Sequence, residues 1–294
     1  MTFSIGLLGL ALSIGLQPDV PAHFEIEGTT LRTEWVEVSL PATVPTPSPT
    51  STSHESAHDA HDGAADDPAF PALHDVLAAS APALTLSAAV QEGGWTELPD
   101  RLVHGPSGMQ CPKLGIPLPQ GEGQDPIPVY LAGITIHDKK GLDTSCNYLS
   151  ADKSYLLTIY ASNWPDVDIE THFLSALYSI DQSLPIKERV PVLIAELERT
   201  DGRKTAVETD TIGIGFNTEP IKGKAFQTIL WLNKVGDWHV KARATYTPPE
   251  VTRQIPAMLM HTLAIIQIDD KAIGATPMEA VSFTTGSALP VTQP

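Results

Sequence analysis

The chain has 294 residues, of which 42% are hydrophobic and 18% are charged, so it carries enough apolar material for a sizeable core. This composition excludes a fibrous or wholly disordered protein. Acidic residues outnumber basic ones 35 to 18, and the net charge of -17 argues against nucleic acid and anionic membranes as partners.

The N-terminus resembles an export signal. Residues 1–22 contain an apolar run from Ile5 to Leu16, which has the length of a signal-peptide core, although no Lys or Arg precedes it. An apolar cytosolic N-terminus is the alternative. Because no stretch of about 18 apolar residues occurs, the sequence predicts no integral membrane span and favours a periplasmic or secreted location.

The next segments are acidic and poor in regular pattern. Residues 23–40 are predicted to form a small hairpin around Gly28, which needs a partner surface because a lone two-stranded hairpin is marginal in water. Residues 41–94 are predicted to be a disordered acidic linker, since closely spaced prolines and hydroxyl residues at its start prevent helix and sheet.

Three histidines stand close together within this linker. His54, His58 and His61 lie among carboxylates, and histidine with carboxylate binds Zn²⁺ and other divalent metals. A metal site is one interpretation. A solvated polar segment is the other, and it is favoured because nothing in the surrounding sequence preforms the ligand geometry.

Residues 95–268 are predicted to be a single α+β domain, in which a mainly antiparallel sheet of hairpins is packed by two main helices. Residues 269–294 are predicted to be a tail. Alternating polarity and turn residues define the strands, and apolar residues at steps of three and four define the helices. The predicted strands are 129–137, 142–149, 155–160, 192–199, 204–213, 226–233 and 238–246, and the predicted helices are 166–183 and one that opens at 248.

The two cysteines, Cys111 and Cys146, form no CxxC pair. In an oxidising compartment they are expected to form a disulfide closing a loop of about 35 residues, which contributes about 4 kcal/mol in the chain-entropy model. A reduced buried pair is the alternative.

Standard catalytic signatures are absent, since the chain has no GxSxG, GxGxxG, GxxxxGK[ST] or HExxH motif. His104, Ser107 and His137 are the residues that an active site outside these motifs would use as acid, base or nucleophile. Polar residues at strand ends are the simpler interpretation. We therefore expect a protein without catalytic residues and without a cofactor.

One hairpin offers a candidate ligand or partner face. The alternation in 238–246 places His239, Lys241 and Arg243 on its outward side, and the pattern of the partner strand places Trp231 on the same side. An exposed Trp beside cations suits an anionic or aromatic ligand. If a helix covers this face, Trp231 is instead a core residue.

The sequence thus predicts an exported, soluble, non-enzymatic binding or accessory interaction protein of a bacterial-type cell envelope, with an unknown protein or small ligand as partner. The alternatives are a carrier of a small anionic or aromatic ligand and a hydrolase with an active site outside the known motifs. Oligomeric state cannot be inferred from these patterns.

Overall fold

The computed structural model describes residues 23–26, 29–36, 88–118, 125–247, 249 and 251–275. These residues form an α+β fold in which antiparallel strands predominate. The predicted signal segment and the three linker histidines lie outside the described residues. The strands, in chain order, are β1 (His23–Ile26), β2 (Thr29–Val36), β3 (Trp95–Glu97), β4 (Arg101–His104), β5 (Gln110–Pro112), β6 (Val129–Ile136), β7 (Asp143–Ser150), β8 (Tyr155–Asn163), β9 (Ile186–Val190), β10 (Val192–Arg199), β11 (Ile212–Thr218), β12 (Gln227–Val235) and β13 (Trp238–Tyr246). The α-helices are α1 (Ala88–Glu92), α2 (Ile169–Ser183) and α3 (Gln254–Ala272), and a 3-10 turn (Val251–Arg253) precedes α3.

The largest sheet has seven antiparallel strands in the order β6-β7-β8-β13-β12-β11-β9. The predicted hairpins β6-β7 and β12-β13 are both present, and β8 joins them in the middle of the sheet. Two three-stranded sheets, β1-β2-β10 and β3-β4-β5, complete the described strands. The antiparallel α+β class predicted from the sequence is therefore confirmed.

Helix α3 packs against one face of the seven-stranded sheet, which we call the inner face. Trp231, Val240 and Ala242 point to this side and belong to the same buried core as the helix. Almost every residue of α3 from Pro256 to Asp270 is buried. Because apolar side chains surround the helix on several sides, α3 is a core helix rather than an amphipathic surface helix.

The side chains of Gln254 and Trp231 hold the chain by hydrogen bonds at the point where it leaves the large sheet. Between β9 and β10, Pro191 has no N–H for a ladder hydrogen bond, and β10 pairs with β2 instead of β11. The Leu193 N–H donates to Gln254 Oε1 at 2.9 Å, and Gln254 Nε2 donates to the Pro191 carbonyl at 3.0 Å. Trp231 Nε1 donates to the Leu193 carbonyl at 2.8 Å. These contacts bind β10 to α3 and β12.

Helix α2 covers part of the opposite face, which we call the outer face. Asp168 caps its N-terminus by accepting the Thr171 N–H at 2.8 Å, which satisfies a free helix donor. Phe173, Leu177 and Ile180 then recur at steps of four and three, as predicted. They pack on Ile214, Phe216, Leu230 and Leu232 of β11 and β12.

The predicted hairpin at Asp201-Gly202 is wrong, because the chain after β10 does not return as its neighbour. The Asp269 carboxylate accepts hydrogen bonds from the Ala206 N–H and from Thr205 Oγ1, and Arg199 Nη1 donates to it at 2.7 Å. These bonds hold the segment after β10 against the end of α3. The helix also extends four residues beyond the predicted domain end at 268.

The predicted disulfide is present. Cys111 of β5 and Cys146 of β7 are bonded, with their Cα atoms 6.3 Å apart. Trp95 Nε1 of β3 also donates to Thr144 Oγ1 of β7 at 3.0 Å. The small β3-β4-β5 sheet is thus attached to the first hairpin by a covalent bond and by a buried hydrogen bond. Among the described helices, none is long and apolar enough to cross a bilayer.

Candidate functional site

The outer face of the large sheet has two chemically different halves. Helix α2 covers the half formed by β9, β11 and β12, which contributes the apolar cluster of Ile214, Phe216, Leu230 and Leu232. We call the other half, on β6, β7, β8 and β13, the polar half. Its polar side chains are Thr135, Asp143, Ser145, Asn147, Thr158, Tyr160, Ser162, His239, Lys241, Arg243 and Thr245. His137, which follows β6, stacks on Tyr160 beside them.

Side-chain hydrogen bonds run across three strands of the polar half. Asn147 Nδ2 donates to Thr135 Oγ1 at 2.9 Å, and Thr158 Oγ1 donates to Asn147 Oδ1 at 3.1 Å. Arg243 lies directly opposite Thr158 on the next strand. This row fixes the Asn147 amide and places it in line with a guanidinium group.

A parallel row combines an aromatic ring with a cation. Lys241 Nζ lies 4.1 Å from the centroid of the Tyr160 ring. The His137 ring stacks on the same tyrosine at a centroid distance of 5.6 Å, and His137 Nε2 lies 3.0 Å from Ser145 Oγ. His137 is exposed and Lys241 is half-buried, so this row reaches the surface.

The charges on the polar half are mainly positive. Lys241 and Arg243 are two residues apart on β13 and therefore point to the same side. Asp143 is the one carboxylate that the four strands place on this half, and it accepts a hydrogen bond from Ser162 Oγ at 2.8 Å. A local positive region thus exists on a chain whose net charge is -17.

A buried histidine pair marks the boundary between the two halves. His172 Nδ1 of α2 lies 2.8 Å from His239 Nδ1 of β13, and the rings stack at 5.0 Å. Trp164 packs on His172 at 4.5 Å. Desolvation by burial, followed by the charge of Lys241 and by His239, lowers the pKa of His172 to about 3. Burial, reinforced by Lys234, also lowers the pKa of His239. Both rings are therefore neutral near pH 7, and one donates its Nδ1–H to the other.

The structure separates the four residues that the sequence grouped into one ligand face. Trp231 pairs with Ala242, whereas Lys241 pairs with Leu232. Directly opposite residues of an antiparallel pair point to the same side. Trp231 consequently lies on the inner face, fully buried beneath α3, while His239, Lys241 and Arg243 lie on the outer face. A four-residue face that includes Trp231 is a wrong grouping, and only its cationic part stays together.

The residues considered for catalysis are also divided. His104 Nδ1 lies 2.8 Å from Ser107 Oγ, and His104 Nε2 donates to the Gly141 carbonyl at 2.9 Å. Both side chains are buried, and burial lowers the pKa of His104. His104 packs between Trp95 and Trp238, whereas His137 stacks on Tyr160 of the outer face. His104 and Ser107 thus connect the β4-β5 turn to the β6-β7 turn.

Several side chains of this surface did not stand out in the sequence. The sequence pattern marks Asn147 and Ser145 only as polar positions of an alternating strand, and Tyr160 only as part of a central strand. His172 was expected at the surface or at the edge of the core. These side chains come together only because the strand order brings β6, β7, β8 and β13 side by side. Local alternation signals the face, but not its neighbours.

Within the described residues, no group of three or more His, Cys, Asp or Glu side chains is arranged to hold a metal ion. No protein-family model and no curated protein sequence matches the chain. The geometry of the polar half is therefore the main basis for a functional proposal.

Proposed function

We propose that the chain is an exported, non-enzymatic binding protein that recognises an anionic group of a cell-envelope component on the polar half. Lys241 and Arg243 supply the positive charge, and Tyr160 and Asn147 supply a fixed ring and amide beside them. The observation that carries the proposal is the placement of both cations on one side of β13, on a half-face with a single carboxylate.

The Cys111–Cys146 disulfide supports the exported part of the proposal. Structural disulfides persist in oxidising compartments and are rare in the cytosol. The apolar N-terminal run is consistent with the same location. The direct measurement is the mass of the protein purified from its host, with and without reduction, which reports both a shortened N-terminus and the disulfide.

The two alternative functions have weaker support. A hydrolase would need a nucleophile open to substrate, whereas Ser107 and His104 are buried and hydrogen-bonded. A small-ligand carrier would need an enclosed cavity of about 300 Å³ or more. The inner face is instead filled by α3, and Trp231 is part of its packed core.

The binding proposal is tested by removing positive charge at two comparable places. Lys241→Met removes a cation from the polar half, and Lys187→Met removes one from the exposed β9. Two double variants form a second matched comparison, because each removes two cations spaced by two residues. They are Lys241→Met/Arg243→Gln on β13 and Lys187→Met/Arg189→Gln on β9. Binding to immobilised polyglutamate and polyphosphate is measured by biolayer interferometry at several salt concentrations.

We expect the β13 variants to weaken binding of one probe at least tenfold, and the β9 variants to change it less than twofold. The preferred probe identifies carboxylate or phosphate as the anionic group. Equal losses in both pairs would mean that only net charge matters, and an absence of binding by the unmodified protein would overturn the proposal. Circular dichroism of each variant establishes that it is folded.

A further inference from the structure

The two edges of the seven-stranded sheet differ in their protection against pairing with another strand. At one edge, β9 carries Lys187, Glu188 and Arg189, all exposed. At the other edge, β6 has the sequence VYLAGITI, which contains no charged residue and no proline. Charged side chains and prolines are the usual means by which proteins prevent an edge strand from pairing. The β6 edge lacks both.

Backbone groups of β6 point away from the sheet in its second half. The His137 N–H donates to the Asp143 carbonyl at 2.8 Å, so these two residues are a hydrogen-bonded pair. Hydrogen-bonded and non-hydrogen-bonded pairs alternate along an antiparallel ladder. By this alternation, residues 133 and 135 exchange hydrogen bonds with β7, and Ile134 and Ile136 turn their N–H and C=O groups outward. No described strand pairs with these outward groups. The short helix α1 contacts β6, and its Val90 packs against the same inner core as Ile134 and Ile136.

The first half of the same edge already has a partner. The Leu131 N–H donates to the Lys113 carbonyl at 3.0 Å, and the Gly115 N–H donates to the Val129 carbonyl at 2.9 Å. Leu114 thereby lies opposite Tyr130 as an isolated antiparallel bridge. The chain of this molecule thus forms a very short added strand on β6, and the open part begins where this strand ends.

The side chains beside the open part leave space on the outer face and present apolar groups to an added strand. A Cβ atom placed on Gly133 would meet no atom within 4 Å. Leu114 and Tyr130 are directly opposite each other and are 48% and 38% exposed, so they form an apolar surface next to this space. Ile134 and Ile136 are half-buried against the inner core and would contact alternate residues of an added strand.

We propose that the open edge of β6, from Ala132 to Ile136, binds an extended apolar segment of a partner protein as an added antiparallel strand. Backbone hydrogen bonds supply the affinity in this mode of recognition, and alternate side chains supply the specificity. A segment antiparallel to β6 places its N-terminal end beside the exposed Lys139 and Lys140. Acidic residues at that end therefore complement the site.

The charge of the chain disfavours a second copy as the occupant, because two molecules of net charge -17 repel each other. This edge site does not depend on the anion-binding proposal, because it uses backbone groups of β6 rather than the cations of β13. Loss of one function would leave the other measurable.

The test uses a fluorescent ten-residue peptide with two N-terminal aspartates followed by alternating valine and threonine. Its binding to the full chain is measured by fluorescence anisotropy, and amide hydrogen exchange locates the contact. Ile134→Pro removes an outward N–H, and Ile134→Val is its control of similar size with the N–H retained. Gly133→Asp places a negative charge in the open space, and Gly133→Asn is its neutral control.

We expect peptide binding, slower exchange at Ile134 and Ile136, and at least tenfold weaker binding for Ile134→Pro and Gly133→Asp than for their controls. A peptide with lysines in place of its aspartates should also bind more weakly. The proposal is overturned if the peptide does not bind, if protection occurs at β9 instead, or if sedimentation shows that a second copy occupies this edge. Because Gly133→Asp removes no buried contact, it remains informative if Ile134→Pro fails to fold.

Discussion

Leu232 and Lys241 lie opposite each other on neighbouring strands, and the boundary between the two halves of the outer face runs between them. Leu232 is fully buried beneath α2, whereas Lys241 is half-buried against the Tyr160 ring. The same sheet therefore uses β12 for apolar packing and β13 for cationic side chains, of which Lys241 is half-buried and Arg243 is buried. One helix, placed over only part of the sheet, separates the two roles.

The two halves also differ in how they contribute to stability. The half under α2 buries apolar area, which contributes about 25 cal/mol per Å² removed from water. The polar half instead exchanges hydrogen bonds with water for hydrogen bonds between side chains, and each of these is worth only about 1 kcal/mol. The hydrogen bonds of the polar half therefore contribute less to stability than the apolar area buried under α2.

The first prediction compares the boundary pair directly and has the largest expected effect. Leu232→Ala should lower the free energy of unfolding by about 2–5 kcal/mol, because it leaves a cavity under α2. Lys241→Met should change it by no more than about 1–2 kcal/mol, the range of a cation–π contact that is partly desolvated. Urea unfolding of both variants measures the difference. Similar losses would show that the polar half is as important for folding as the apolar half.

The second prediction concerns acid and the histidine pair at the boundary. The pKa of His172 is about 3 in the fold and near 6.5 in an unfolded chain. Below pH 6.5 the unfolded chain binds a proton that the folded chain does not, so stability is present above this pH and is lost as the pH falls toward 3. Between pH 7 and pH 4.5 we expect a loss on the order of 2–3 kcal/mol from this ring.

His172→Phe tests the origin of this acid sensitivity. The phenyl ring retains the contact with Trp164 but does not titrate, so stability should fall less steeply with acid than in the unmodified chain. His261, whose pKa burial lowers to about 4 on the inner face, keeps part of the slope in both proteins. His137→Phe, at the exposed edge of the polar half, is the control. An unchanged slope in His172→Phe would contradict the assignment.

The sequence predicts much of this sheet because local patterns determine its hairpins. The alternation from Trp238 to Tyr246 and the turn at Gly236 correspond to β13 and its turn within one or two residues. The partner of β10 could not be predicted in this way. Asp201-Gly202 is a strong local turn signal, but Asp269, nearly 70 residues away, holds the following segment instead. Long-range hydrogen bonds outweighed local turn preference there.

Which side chains share the polar half depends on the pairing register of β12 and β13, and the pattern of one strand does not contain that register. The turn between β12 and β13 pairs Val235 with Trp238, so each odd-numbered residue of β12 lies opposite an even-numbered residue of β13. Shifting a strand by one residue moves all its side chains to the other face. For this reason the strand pattern correctly groups Lys241 with Arg243, whereas its grouping of Trp231 with them is wrong.

The third prediction has the smallest expected effect and addresses the hydrogen-bonded row of the polar half. Thr158→Val removes the donor to Asn147 Oδ1 with little change in shape, and should cost about 1 kcal/mol. Combining it with Asn147→Ala should cost less than the sum of the two single changes, because both remove the same bond. Urea unfolding of the four proteins completes this cycle.

A cycle with no coupling would mean that the Thr158–Asn147 bond contributes nothing to the fold. A coupling of several kcal/mol would show instead that the row is a structural centre comparable with the core under α2. The expected value, near 1 kcal/mol, fits a row that orients the Asn147 amide beside Arg243 while most of the stability comes from the apolar half. The anion-binding measurement on Thr158→Val separates these roles, since a misoriented amide should weaken binding more than it weakens folding.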